Sequence, residues 1–259
     1  MESLNTVLVG GVATARLSRE DMANLMLRDC LAARSGASTP KLVFDVNGHA
    51  LALAFWNRDF RRDLAAGDLV HADGQAIVAA SRFLTSAPIP ERSATTDFFH
   101  DAAALASRAG LRFFLLGATE EVNALCEARM RALYPDLQIV GRRNGYFAQG
   151  EEAAICEAIN ASGADIVWIG LGKPNEQAFC VRNRGRLKAG WLVTCGGCFN
   201  YVAGNYPRAP RWMQSAGLEW LHRLLTNPRK LFWRYVTTNP VAIYLLLTQT
   251  SSRPRGAGA

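Results

Sequence analysis

The sequence predicts an α/β fold in which a mostly parallel sheet carries helices on both faces. Three observations predict it. Short apolar runs alternate along the chain with amphipathic stretches of helical length. Gly110, Gly141 and Gly190 lie in the connections, where glycine tolerates the positive φ at which many helices end. After Ala203 the composition changes, which predicts a basic helical C-terminal appendage.

Six apolar runs predict the strands, and the stretches around them predict the helices. The strands are expected at Lys41–Phe44, Leu69–His71, Leu111–Leu116, Leu137–Val140, Asp165–Gly170 and Trp191–Thr194. The helices are expected near Ser18–Arg34, Gly74–Phe83, Thr96–Arg108, Glu120–Leu133, Glu151–Ala161 and Asn175–Leu187. Because a helix separates most successive strands, the strands should run parallel, as in a Rossmann-like sheet.

The last part of the chain holds the whole excess of positive charge. The formal net charge is +7, and residues 204–259 contain eight Arg and Lys residues but one acidic residue, Glu219. Basic and acidic residues balance over residues 1–203. This asymmetry predicts an anionic partner at one end of the molecule, either nucleic acid, a membrane surface or phosphate.

Prolines and tryptophans give this segment its predicted structure. Pro207, Pro210, Pro228 and Pro240 should divide it into short helical pieces, and Trp212, Ala216, Trp220 and Leu224 recur every four residues as one apolar stripe. Trp beside Arg suits a membrane–water interface, although packing of the stripe on the main domain remains an open alternative. We therefore predict an α/β domain over 1–203, a basic, Trp-rich helical appendage over 204–250 and a disordered tail over 251–259.

Composition excludes several classes of protein. With 49% hydrophobic and 20% charged residues, the chain can bury a sizeable core. No apolar run approaches the roughly 18–20 residues that span a bilayer. The N-terminus has no secretion-signal pattern, which predicts a cytoplasmic protein whose six cysteines are reduced.

Ligands of open parallel sheets bind at the carboxyl ends of the strands. The sequence predicts three strand-to-helix junctions at these carboxyl ends: Ala72–Gly74, Gly117–Thr119, and Gly170–Pro174 followed by Glu176 and Gln177. Neither the complete dinucleotide-binding glycine pattern nor a P-loop is present. Each junction alone is weak evidence, because such turns occur in any α/β protein.

Asp73 is the best catalytic candidate. A carboxylate at a strand end, followed by glycine, is placed to take a proton from a hydroxyl, although an Asp here could also cap the next helix. His71 and Asp73 share a strand face, but a third metal ligand is missing and no D-x-D motif occurs. No metal and no cofactor are therefore predicted, and Cys195 and Cys198 are interpreted as packed thiols.

Together these segments resemble a known family. The matching segments are Leu69–Gly74, Arg92, Leu115–Gly117, Tyr134–Pro135, Gly145–Phe147, Gly170–Pro174, Arg208–Pro210, Gly217–Trp220 and Arg223–Leu224. In this order, over Val43 to Tyr235, they resemble the bacterial WecG/TagA/CpsF glycosyltransferases. The resemblance implies inverting transfer of a sugar from a UDP-sugar to a polyprenyl-diphosphate-linked acceptor during cell-surface polysaccharide synthesis. The implied donor is N-acetylmannosamine, its uronic acid, or glucose or a related hexose.

The resemblance also implies roles for individual residues. Asp73 matches the family's proposed general base, and the implied substrate-binding residues are Asn47, Gly74, Arg92, Gly117, Gly145, Tyr146, Glu176 and Gln177. Arg208, Arg211, Arg223, Arg229 and Arg234 match an appendage that approaches the diphosphate and the membrane. The implied partners are the UDP-sugar, the lipid-linked acceptor and an anionic membrane surface, with no nucleic acid and with homo-oligomerisation open. The expected location is the cytoplasmic face of the cell membrane.

Three positions depart from the family's motifs. Asp45 stands where the family has Thr. The family has Gln followed by Glu after the Gly170–Pro174 segment, whereas this chain has Glu176 followed by Gln177. Asn200 stands where the family has Asp. The first two bear on the donor sugar and leave the reaction type unchanged. The alternative function is a nucleic-acid-binding protein that uses the basic C-terminal segment.

Overall fold

A six-stranded parallel sheet forms the centre of the protein. The computed structural model describes residues 4–36 and 39–252. Its strands are β1 (Thr6–Val9), β2 (Val12–Ala15), β3 (Lys41–Val46), β4 (Leu69–Ala72), β5 (Arg112–Gly117), β6 (Gln138–Arg143), β7 (Ile166–Gly170) and β8 (Trp191–Thr194). The sheet order is β4-β3-β8-β7-β5-β6, with every neighbouring pair parallel. The six predicted strands are confirmed.

Helices cover both faces of this sheet. They are α1 (Arg19–Ser35), α2 (Gly48–Trp56), α3 (Arg58–Ala65), α4 (Gln75–Leu84), α5 (Thr95–Ala109), α6 (Glu120–Leu133), α7 (Glu152–Ser162), α8 (Asn175–Asn183), α9 (Cys198–Val202), α10 (Arg211–Ser215), α11 (Glu219–Thr226) and α12 (Pro228–Thr248). The six predicted helices are confirmed, although α8 ends at Asn183 rather than Leu187. At this end of α8, the buried Asn183 side chain donates to Glu152 of α7 at 2.7 Å.

Strand residues alternate between two hydrophobic cores. Val167 and Ile169 pack in the core that contains α2, α3, α7 and α8, whereas Trp168 between them packs in the core that contains α1, α5 and α6. The alternation follows from the period of two in a strand. A sheet buried on both faces accounts for the nearly continuous apolar runs in the sequence.

The sequence did not predict the N-terminal hairpin or the helices α2 and α3. β1 and β2 pair antiparallel through Gly10 and Gly11, both at positive φ. The sequence of α2 is apolar on almost every side, so it shows no helical periodicity. Asn57 ends α2 and caps α3, its side chain accepting from the Phe60 amide at 3.0 Å.

The C-terminal segment is helical, but the separation implied by an appendage is not confirmed. α12 packs along α2, and its Leu245 and Leu246 are buried in the same core as β3 and β7. Beyond α12, the Gln249 carbonyl accepts from the Gly11 amide at 2.8 Å. Ser251 forms a β-bridge with Leu8, so the predicted disordered tail begins too early, and residues 253–259 lie outside the described residues.

Two details of the predicted C-terminal segment are wrong. Pro240 lies inside α12 instead of dividing it, with its ring on the exposed side. The stripe from Trp212 to Leu224 is not one helix, because Gly217 at φ +73° separates α10 from α11. Over residues 4–36 and 39–252, no helix is both long and apolar enough to cross a bilayer.

Candidate active site

A cavity of about 590 Å³ opens at the carboxyl ends of β3, β4, β7 and β8. Parallel strands end at one edge of their sheet, so the loops after them bring Asn47, Asp73, Lys173 and Gly196 to one place. Side chains of α11 and α12 also line the cavity. We call the strand-loop side the floor and the helical side the arginine wall.

Asp73 lies on the floor with both carboxylate oxygens hydrogen-bonded. Asn47 Nδ2 donates to Oδ2 at 3.0 Å, and the Thr95 amide, at the start of α5, donates to Oδ1 at 2.9 Å. The alternative role of Asp73 as cap of the next helix is wrong, because Gly74 is the cap residue of α4 and no side chain caps that helix. The carboxylate is therefore held from both sides at the edge of the cavity.

Asp73 is ionised over the physiological pH range. Burial raises the pKa of this carboxyl group. The positive charge of Arg92 and the hydrogen bonds from Asn47 and Thr95 lower the pKa by more than burial raises it. The net result is a pKa of about 2. The group is thus always in the form that accepts a proton.

Arg92 joins the floor to the arginine wall. Its Nε donates to the backbone carbonyl of Asp73 at 2.7 Å, and its Nη2 donates to Glu219 of α11 at 2.8 Å. The close approach of Gly74 to Asn47 completes the floor, since a Cβ at Gly74 would lie 3.2 Å from the Asn47 Cα.

Deeper in the floor, Asp45, Lys173 and Glu176 form what we call the floor cluster. Lys173 Nζ lies 2.6 Å from each oxygen of Asp45 and 3.6 Å from Oε1 of Glu176. Glu176 Oε2 accepts from the amides of Gly172 and Gly196, each at 3.0 Å. Burial raises the pKa of Glu176 to about 7, even though Lys173 opposes the shift.

Two cations on the arginine wall have no carboxylate partner in the described part of the chain. Arg223 stacks over the Tyr201 ring at 5.7 Å, and Arg234 over the Tyr235 ring at 5.1 Å. The nearby Glu219 is already paired with Arg92. The buried Nε of Arg234 has no hydrogen-bond partner among the described residues. Unpaired guanidinium groups at a cavity wall suit an anionic ligand such as phosphate.

His49, on α2, faces the same wall. Burial lowers its pKa to about 4, and the charges of Arg234, Lys173 and Arg223 contribute. Its Nδ1 has no hydrogen-bond partner within the described residues. A neutral imidazole here adds a polar group without adding to the positive charge.

The cavity unites about half of the predicted site residues. Those that line it are Asn47, Asp73, Gly74, Arg92, Glu176, Arg223 and Arg234. Those that do not are Gly117, Gly145, Tyr146, Gln177, Arg208, Arg211 and Arg229. Gln177 is fully buried behind the floor, with its amide nitrogen 3.5 Å from the Thr194 hydroxyl.

Gly117, Gly145 and Tyr146 lie at the same edge of the sheet but beside β5 and β6. Gly117 packs so closely on β7 that a Cβ there would lie 2.4 Å from the Gly170 carbonyl oxygen. Gly145 donates its amide to the Ala118 carbonyl at 2.8 Å, and Tyr146 is 75% exposed. These glycines therefore have a packing role whether or not a ligand binds.

The remaining predicted arginines point elsewhere. Arg208 pairs with Asp97 at 2.8 Å, next to the cavity, and stacks over Tyr201 at 5.9 Å. Arg211 and Arg229 are exposed. Of the five C-terminal arginines, only Arg223 and Arg234 reach the cavity.

Several cavity residues were not predicted as site residues. They are Asp45, His49, Lys173, Tyr201, Trp220 and Tyr235. The sequence did mark two of these positions. Asp45 departs from a family motif, and Lys173 lies within the matching segment Gly170–Pro174. Nothing in the sequence marked His49, because α2 itself was not predicted. Tyr201 and Tyr235 belong to no sequence motif, so only the folded structure shows that they line the cavity.

The described residues contain no group of three or more His, Cys, Asp or Glu side chains that could hold a metal ion. His71 does not share a site with Asp73. Its ring is buried, with Nδ1 2.9 Å from the Ser93 carbonyl oxygen and Phe98 beside it. All six cysteines are free and buried, which agrees with packed thiols at Cys195 and Cys198.

Comparison with known proteins agrees with this arrangement. The family model described as "Glycosyl transferase WecG/TagA/CpsF family" matches residues 7–256, nearly the whole chain. The match spans the parallel sheet, the floor and the arginine wall together. The chain therefore belongs to the WecG/TagA/CpsF family of glycosyltransferases, which act in cell-surface polysaccharide synthesis.

Proposed function

We propose that the protein transfers a sugar from a UDP-sugar to a polyprenyl-diphosphate-linked acceptor, with inversion at the anomeric carbon and without a metal ion. The observation that carries the proposal is the cavity itself. An ionised Asp73 lies on its floor, and the unpaired Arg223 and Arg234 lie on its arginine wall. A base and an anion-binding surface that face one cavity are the two elements such a transfer requires.

Asp73 serves as the general base. The acceptor hydroxyl attacks the anomeric carbon from the side opposite the UDP, its proton passes to the Asp73 carboxylate, and the bond to the UDP oxygen breaks. Asn47 and Thr95 orient the carboxylate through one hydrogen bond to each oxygen. A pKa of about 2 describes the empty cavity. Binding of a diphosphate raises that pKa, because negative charge disfavours the ionised carboxylate.

The arginine wall stabilises the leaving group. Negative charge develops on the UDP as its bond to the sugar breaks, and a fixed guanidinium placed there lowers the barrier. Arg223 and Arg234 supply two such groups, held by Tyr201 and Tyr235. Arg92 supplies a third cation, and His49 a neutral polar contact. This positive charge takes the place that a divalent ion fills in other nucleotide-sugar transferases.

The lipid-linked acceptor would reach the cavity along α12. The exposed side chains of this helix form an apolar stripe, which we call the α12 stripe: Phe232, Trp233, Val236, Pro240, Ile243, Tyr244 and Leu247. Ile243 of this stripe also lines the cavity. An apolar helix face with Trp and nearby arginines suits the surface of an anionic membrane, and we propose peripheral attachment to the cytoplasmic face.

Transfer assays with the full chain test the proposal. UDP-sugars are offered one at a time with polyprenyl-diphosphate saccharides in the presence of EDTA, and UDP release and the anomeric configuration of the product are measured. We expect turnover with at least one donor and an inverted product. Turnover that requires added Mn²⁺, or a product with retained configuration, would contradict the mechanism, and absence of UDP binding would contradict the function.

A further inference from the structure

The floor cluster has no part in the proposed proton transfer or in binding the diphosphate. Its three side chains are nonetheless charged and almost completely withdrawn from solvent, with side-chain exposures of 5% for Asp45, 9% for Lys173 and 0% for Glu176. Placing charges in such a position is costly unless they are paired. Because burying these charges costs free energy, we infer that the floor cluster has a role in the site.

The positive charge of Lys173 is fully engaged within this cluster. Nζ contacts both oxygens of Asp45 at 2.6 Å, and Glu176 lies on its other side. Two backbone amides fix the Glu176 carboxyl group, and its Oε1 has no hydrogen-bond partner among the described residues. With one cation and two carboxyl groups, the cluster is neutral or negative and is never positive.

The charge of the floor is therefore opposite to that of the wall. Asp73 adds a further carboxylate to the floor, whereas the cations without a carboxylate partner, Arg223 and Arg234, come from the helices α11 and α12, where a diphosphate would bind. A sugar held next to Asp73 meets carboxyl groups, whereas the two neighbouring cations, Lys173 and Arg92, are each already paired with a carboxylate. Sugar hydroxyls can donate hydrogen bonds to such a surface, but a carboxylate on the sugar would be repelled.

We propose that the floor cluster, Asp45, Lys173 and Glu176, selects an uncharged donor sugar and disfavours a sugar that bears a carboxylate. The inference rests on the proposed function and narrows its donor to a neutral hexose or its N-acetylamino form. Asp45 and Glu176 act by engaging Lys173, so they are selectivity residues and not groups that touch the reacting atoms.

The test compares donors that differ only at C6. The pairs are UDP-glucose with UDP-glucuronate, UDP-galactose with UDP-galacturonate, and UDP-N-acetylmannosamine with its uronate. Dissociation constants for each compound and for UDP alone are measured by calorimetry on the full chain. We expect the neutral member of the best-binding pair to bind more tightly by about tenfold or more.

Substitutions that change the cluster charge should shift this ratio in a predictable direction. Glu176→Gln and Asp45→Asn each remove one ionisable carboxyl group from the cluster and should reduce the preference for the neutral sugar, whereas Lys173→Gln removes its cation and should increase that preference. The matched control is Glu152→Gln, which removes another buried carboxylate, one that is paired with Arg182 and does not line the cavity. The control should leave the ratio unchanged and should bind UDP alone like the wild type. For the three cluster variants, the affinity for each UDP-sugar is compared with the same variant's affinity for UDP.

The outcomes separate the two proposals. Uronates that bind as tightly as their neutral partners would overturn the inference while the proposed function stands. A wild-type preference that Glu176→Gln and Asp45→Asn both leave intact would remove the assignment to the floor cluster. Failure of UDP and of every UDP-sugar to bind would overturn the proposed function itself.

Discussion

In its proposed role as general base, Asp73 combines two properties that oppose each other. Its hydrogen bonds to Asn47 and Thr95 fix its direction, but they also keep its pKa low and make it a weak base in the empty cavity. Under the proposed function, the negative charge of the bound diphosphate would raise this pKa. Donor binding would then make Asp73 a stronger base than it is in the free protein.

Asp73→Asn should separate catalysis from binding. The amide has nearly the same shape as the carboxylate but cannot accept the acceptor proton, so we expect turnover to fall by about a hundredfold or more. Affinity for UDP should stay within a few fold of the wild type, because the arginine wall is intact. Initial rates and calorimetric UDP titration measure the two effects. Full turnover by the variant would contradict the role as base.

His49 should make the protein less stable in mild acid. Its folded pKa of about 4 lies below the ordinary value of 6.5, so the unfolded chain binds the proton more readily between these values. Stability is therefore lost as the pH falls from about 6.5 towards 4. His49→Gln should reduce this loss, as measured by urea unfolding at pH 7 and pH 5. Equal losses in the variant and the wild type would contradict a buried neutral imidazole.

At the scale of elements, the break at Gly217 fixes the position of the arginine wall. This residue separates α10 from α11 at φ +73°, and a Cβ there would lie 3.2 Å from Gln75 Cγ. α11 can then present Arg223 and Glu219 to the cavity at an angle that one continuous helix would not give. The sequence did not predict this break, because the four-residue repeat from Trp212 to Leu224 continues across it. Such a repeat shows which residues are apolar but not where the chain turns.

Gly217→Ala should destabilise the protein by about 1–2 kcal/mol, the cost of a left-handed conformation for a residue with a Cβ. UDP affinity should fall as well, because α11 carries Arg223. Gly150→Ala is the matched control, since no atom lies within 4 Å of the added Cβ and the φ angle is not positive there. Urea unfolding and UDP titration compare the two. Equal stability of both variants would show that the break has no strict requirement for glycine.

The α12 stripe should mediate membrane attachment. Replacing Phe232 and Trp233, which are 49% and 71% exposed, by Ser removes its largest apolar side chains. We expect the double variant to sediment much less with vesicles of anionic lipid while UDP affinity is unchanged. Leu133→Ser, at a 61% exposed position of α6, is the control. Retained sedimentation of the double variant, or equal loss in the control, would contradict the assignment.

On the scale of the whole molecule, the C-terminal helices complete the core as well as the cavity. Val46 of β3 and Leu245 of α12 are buried in one hydrophobic cluster, and α12 packs along α2. From the sequence we predict a neutral α/β domain over 1–203 and a separate basic appendage after it. We based that prediction on charge and tryptophan content. These properties describe the exposed residues of α12 but do not show which of its residues are buried.

Removing residues 204–259 should therefore destabilise the chain severely, since it exposes the apolar surface of α2 to water. Substitution of Arg211 and Arg229 by Gln, which removes two positive charges of this segment, should not, because both side chains are exposed. Yield in the soluble fraction, thermal unfolding and hydrogen exchange of α2 measure the difference. A truncated chain with wild-type stability would show that 1–203 is an independent domain.

The sequence predicted the sheet, its six strands and the place of Asp73 at the carboxyl end of a strand, because each depends on local pattern. It did not predict which of five arginines face the cavity. That selection depends on the break at Gly217 and on contacts of Arg223 and Arg234 with Tyr201 and Tyr235. The pairing of Asp45 with Lys173 likewise joins side chains 128 positions apart, which no local pattern can report.

The bridge between Leu8 and Ser251 has a consequence for synthesis on the ribosome. The hairpin is translated well before Ser251 and α12, which cover it. Arg234 and Leu246, which line the cavity, are likewise translated after every strand of the sheet. A nascent chain therefore cannot close its cavity until α12 has been made.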